Sequence, residues 1–140
     1  MTTLSRVAAV AGSTAFAASA VVHTMWGLGS AWPMRTRAEL ADAVVGSNTV
    51  PDARACFAVA GLSVAAAALA AGVGGSGRAA QAARFVLGAG ILARGTAGGR
   101  PATKVLGLPE PSARFVRLDK TLYRPLCLGV AAAVFTAARR

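Results

Sequence analysis

Four apolar stretches, each roughly the twenty residues a bilayer crossing needs, occupy most of this short chain. They run over residues 7–29, 54–73, 80–98 and 121–138. At a rise of about 1.5 Å per residue, each stretch reaches across a hydrocarbon layer of about 30 Å. Lipid offers the backbone no hydrogen-bond partner, so such segments must close their own hydrogen bonds as helices. The expected fold is therefore all-α: a four-helix antiparallel transmembrane bundle, one integral membrane domain over residues 1–140. The expected location is the cell membrane, crossed several times.

Composition agrees. The chain is 55% hydrophobic and 14% charged, with a mean hydropathy of +0.56, too apolar for an ordinary soluble domain. Alanine and glycine dominate the stretches, so single spans insert weakly and depend on packing. Small residues four apart, Ala8/Gly12 and Gly61/Ala65, allow close helix approach. Whether outer faces pack against further copies is open, so a homo-oligomer is one expectation. The net charge of +10 comes from residues bordering the spans, not from one basic helix face. No nucleic-acid motif appears, and the expected partner is membrane lipid, whose headgroups meet flanking Lys and Arg. Arg6, the run 7–17 and Ala18-Ser19-Ala20 imitate a signal peptide, but the apolar stretch continues to Trp26, which favours an uncleaved anchor. Cys56 and Cys127 form neither a C-x-x-C motif nor a disulfide framework, and two small buried side chains is the plainer reading.

The connections are asymmetric. Between the second and third stretches lies a tight turn, Gly74-Gly75-Ser76-Gly77-Arg78; the other two are long and polar. In the first, Thr36–Val45 is expected to form a short helix, and Pro51-Asp52 signals the start of the second span. In the third, Ser112 is a candidate N-cap. Phe115, Leu118 and Leu122 then interleave with Arg114, Arg117 and Lys120 as an interfacial amphipathic helix. Pro125 removes a backbone donor one turn into the last span, so a kink or restart is expected near 123–125. Arg6, Arg78, Arg139 and Arg140 lie on the short-turn side and more basic residues on the long-loop side, which leaves orientation open.

With alternating spans, His23, Trp26, Asp52, Arg54, Arg94, Asp119, Tyr123 and Arg124 all fall on the long-loop side. Ionisable groups near a membrane core are costly, which makes each a site candidate. His23, Asp119 and Tyr123 supply an imidazole, a carboxylate and a phenol, a candidate catalytic set for proton transfer. Trp26, Arg94 and Arg124 are candidate substrate-binding residues, the last suited to an anionic headgroup. The bland readings are a His23 bonded to a backbone carbonyl or to Asp119, an Arg94–Asp119 pair that is purely structural, and belt aromatics at Trp26 and Trp32. With one histidine and no cysteine cluster, neither a metal nor a cofactor is expected.

The pattern His23-x-x-Trp26-x-x-Gly29 with Trp32, then Arg94, then Asp119-x-x-x-Tyr123-x-Pro125-Leu126, resembles an uncharacterised bacterial family of small four-span membrane proteins. The likeness runs from about Ala15 to Val134. It implies a four-helix integral membrane protein and carries no reaction with it.

Three functions follow from the residues. One is an enzyme or binding protein for a lipid-like or small apolar molecule, using the polar pocket. A second is a non-catalytic accessory subunit whose polar cluster is structural. A small transporter fits least, because no Asp or Glu lies within the first three spans.

Overall fold

The computed structural model describes residues 2–138, and Met1, Arg139 and Arg140 lie outside the described residues. The order is α1 (Thr3–Gly27), α2 (Arg37–Val44), α3 (Ala53–Ala71), α4 (Arg78–Ala97), α5 (Arg100–Val105) and α6 (Ala113–Leu118). A π-helical turn (Asp119–Tyr123) then runs directly into α7 (Arg124–Ala138). No strand is present among the described residues.

Local chemistry sets the helix starts. The Thr36, Asp52 and Ser112 side chains accept from Glu39 N–H (3.2 Å), Ala55 N–H (2.7 Å) and Phe115 N–H (3.1 Å), each satisfying a donor the first helical turn leaves open. The break near Pro125 takes the form of the π turn: Arg124 N–H reaches back five residues to the Asp119 carbonyl. Such a wide turn rotates the side chains ahead of it relative to those behind. α5, inside the third connection, carries Pro101 in its first turn.

Three helices are long and apolar enough to cross a membrane: Thr3–Gly27, Ala53–Ala71, and the continuous rod Ala113–Ala138. The remaining apolar stretch, the third in chain order, forms a helix of sufficient length, α4, which carries Arg78, Gln81, Arg84 and Arg94 and is the more polar for it.

The core is made of small side chains. Phe16, Ala66, Ala70 and Val134 form one cluster, with Leu87, Ile91 and Val130 against it; Ala8, Ala9 and Ala137 form another. Gly12 lies where α1, α3 and α7 converge, so that a Cβ there would touch Ala70 at 3.6 Å and Val134 at 3.7 Å. α1 contacts α3 at Gly12–Ala70, Ser19–Ser63 and Gly27–Phe57, an order that advances on one helix as it retreats on the other. α4 meets α7 in the same manner, at Gly88–Phe135 and Gly95–Leu128. Many of the larger apolar residues point outward instead: Val10, Val21, Leu62, Val64, Phe85, Val86 and Leu126 are all exposed. A core rich in alanine and glycine beneath so many exposed large apolar side chains departs from a water-soluble bundle and suits a lipid surround, where close backbone approach replaces the hydrophobic drive.

On the long-loop side, α2 and α6 pack against each other. Ser112 N–H donates to the Gly46 carbonyl at 2.9 Å. Gly46 has φ +79°, and a Cβ there would run into Pro111 and the Phe115 ring. Phe115 is buried, so α6 is covered on this side by the α2 turn. Of the apolar face read from the sequence, Phe115 is covered in this way, while Leu122 remains exposed.

Candidate functional site

The six candidate side chains are brought to two places. His23 and Trp26, on the last turns of α1, line a partly open cavity of about 160 Å³. Arg37, Leu40, Val44 and Val45 close it from α2 and its end, Val50 and Pro51 from the following loop, and Ala55, Cys56 and Val59 from α3. The walls are mainly apolar with a few polar groups, the usual character of a small-molecule site.

His23 is held by its own helix. Its Nδ1 lies 2.8 Å from the Ser19 carbonyl, an atom that only accepts, so the neutral ring carries its proton on Nδ1. Ser19 Oγ is 3.3 Å from the same nitrogen and 3.1 Å from Ser63 Oγ, which continues the polar contact into α3. Nε2 makes no hydrogen bond to any described residue and remains the acceptor of the ring. Trp26 packs edge-on against His23 at 4.8 Å between centroids, and its Nε1–H donates to the Trp32 carbonyl at 2.7 Å. Trp32 itself is exposed, as an interfacial aromatic is.

The second group lies between α4, the π turn and α2. Arg94 Nη2 donates to Asp119 Oδ1 at 2.6 Å, with the Asp119 side chain only 4% exposed and that of Arg94 37% exposed. Tyr123 Oη–H donates to the Ala43 carbonyl at 2.9 Å and ties the rod to α2. Arg124 donates from Nε to the Gly95 carbonyl at 3.1 Å and from Nη2 to the Thr96 carbonyl. Asp119, Tyr123 and Arg124 thus hold elements together, and none of them lines the cavity that contains His23.

Two arginines matter more than their place in the sequence announced. Arg84, 2% exposed, donates to the Leu69, Gly75 and Val73 carbonyls at 2.8, 2.8 and 2.9 Å, around the C-terminal end of α3. Arg37 donates to the Trp26 carbonyl at 2.9 Å at the end of α1. With Arg124 on α4, each of these three helices has its last carbonyls met by a guanidinium from a later element. That suits both the orphan acceptors and the negative end of the helix dipole. Arg84 gave the same signal as Arg94, an ionisable residue inside an apolar stretch. Arg37 gave none, because its partner is set by how α2 folds back.

No curated protein and no solved structure matches the chain. A family match does exist over residues 16–134, a range that takes in both groups of side chains, and on that match the chain belongs to the family described as protein of unknown function (DUF3995).

Proposed function

We propose that this chain is a four-pass antiparallel membrane bundle that holds a small lipid-like molecule in the His23–Trp26 cavity. The observation that carries the reading is the cavity itself: apolar walls around an imidazole whose Nδ1 is fixed and whose Nε2 is unoccupied. For the fourth crossing, the two deepest charges of α4 support it. Arg84 is wrapped in carbonyls and Arg94 is paired with Asp119, so neither meets lipid as a bare charge.

Binding is the favoured activity over proton-transfer catalysis because Asp119 and Tyr123 are engaged elsewhere, which leaves His23 to act alone toward a bound molecule. The test is Val44→Trp, which places an indole in the cavity. Wild type and variant are transferred into nanodiscs and their extracts compared by mass spectrometry. The reading expects a small amphiphile enriched with wild type and lost from a folded variant. Identical extracts from the two would overturn it.

A further inference from the structure

Of the three capping arginines, one is only half used. Arg84 commits Nε, Nη1 and Nη2 to three carbonyls, and Arg124 commits Nε and Nη2 to two. Arg37 bonds through Nη1 alone, to the Trp26 carbonyl at 2.9 Å and the Ser30 carbonyl at 3.4 Å. Its Nε and Nη2 make no hydrogen bond to any described residue, and the side chain lines the cavity with His23.

No described residue neutralises this charge. A guanidinium does not lose its proton in a protein. Arg37 forms no ion pair among the described residues, and no carboxylate lines the cavity. The acids on adjoining elements are occupied: Glu39 accepts from Arg35 N–H at 3.0 Å, Asp52 caps α3, and Asp42 faces Arg114 at 3.9 Å. The cavity therefore sets a permanent cation, with one edge unbonded, beside the apolar side chains of Leu40, Val44 and Val59.

Resting on the binding reading above, we infer that the bound molecule is an anionic amphiphile, a carboxylate or phosphate oxyanion with an apolar tail. The oxyanion takes the unbonded edge of Arg37, where paired N–H groups match two oxygens. His23 Nε2 stands in the same cavity, an acceptor when the ring is neutral and a second cationic donor when it is protonated. About 160 Å³ is near the size of a cavity that admits benzene. It accommodates the head and first carbons, and the rest of the tail leaves by the open side.

Trp26 reports on the site directly. Trp32→Phe leaves it as the single tryptophan, and this protein in phosphatidylcholine nanodiscs is titrated with 2-bromodecanoate or 2-bromodecan-1-ol, whose bromine quenches indole on contact. The inference expects saturable quenching by the acid at a concentration about tenfold below that for the alcohol, the size of one charge-assisted hydrogen bond. Arg37→Gln abolishes that preference. Arg37→Lys retains the charge without the fork, and keeps the preference with weaker binding. Competition by decanoate against dodecyl phosphate assigns the head as carboxylate or phosphate. Equal quenching by acid and alcohol in the unmutated cavity overturns the anionic assignment and leaves the binding reading standing. Absence of saturable quenching by either overturns both.

Discussion

Arg94 reaches Asp119 across twenty-five positions of sequence at 2.6 Å, and the carboxylate is the sealed partner of the pair. Arg94 Nη1 is buried without a partner, so this guanidinium depends on one carboxylate for its charge balance. Asp119→Ala should destabilise the protein by about 3 kcal/mol, near the lower bound for breaking a buried pair because Arg94 retains some exposure. Arg94→Gln combined with Asp119→Asn should cost less than the two single changes summed. Thermal unfolding in detergent measures the cycle, and strict additivity would show that the two residues do not act as a pair.

The arginine caps predict a ranking. Arg84 satisfies three carbonyls and is fully buried, whereas Arg124 satisfies two from a half-buried position. Replacing Arg84 with Gln should lower stability the most, by about 3 kcal/mol or more given the worth of hydrogen bonds to charged groups. Arg124→Gln should cost less. Both should leave the Trp26 quenching assay unchanged in the folded fraction, since neither side chain lines the cavity.

The α4–α7 seam distinguishes two glycines by what lies opposite. A Cβ at Gly88 would meet the edge of the Phe135 ring at 2.7 Å, a side chain that can swing aside. At Gly95 it would meet Leu128 Cδ2 at 2.9 Å and the Leu128 backbone nitrogen at 3.2 Å, and the backbone cannot yield. Gly88→Ala should therefore be tolerated within about 1 kcal/mol, and Gly95→Ala should cost about 1–3 kcal/mol as overpacking does. Gly99, at φ +71°, is doubly constrained, because any side chain there is strained and directed at the Asp119 carboxylate. Gly99→Ala should reproduce much of the Asp119→Ala loss. Chemical or thermal denaturation of the three variants side by side checks the order.

The legible parts of this fold were the local ones. The Asp52 and Ser112 caps, the short helix after Thr36 and the break before Pro125 each depend on neighbours within a few residues, and all appear as read. The Arg94–Asp119 pair was readable too, since few carboxylates in the chain lie at a matching depth. The division of the candidate residues between two places was not readable. It depends on α2 folding back over the end of α1, which carries Arg37 to Trp26 and brings Ala43 to Tyr123, a contact eighty positions apart. It depends also on the π turn, whose extra width decides which way Asp119 and Tyr123 face. Neither leaves a periodic trace. α4 shows a related limit: the sequence offered Asp119 as a partner for Arg94, but only the folded chain reveals the three carbonyls that receive Arg84.

The account rests on the proposed four crossings, which put both long connections on one side of the membrane, opposite the tight glycine turn. Single cysteines test this in a background with Cys56 and Cys127 replaced by Ala. Asn48→Cys, Ser76→Cys and Lys104→Cys, all at exposed positions, are reacted with an impermeant maleimide in sealed right-side-out and inside-out vesicles. The prediction is that positions 48 and 104 label together in one vesicle orientation and position 76 labels only in the other. Labelling of 76 on the same side as 104, with 48 opposite, would mean that α4 does not cross and would contradict the four-pass bundle.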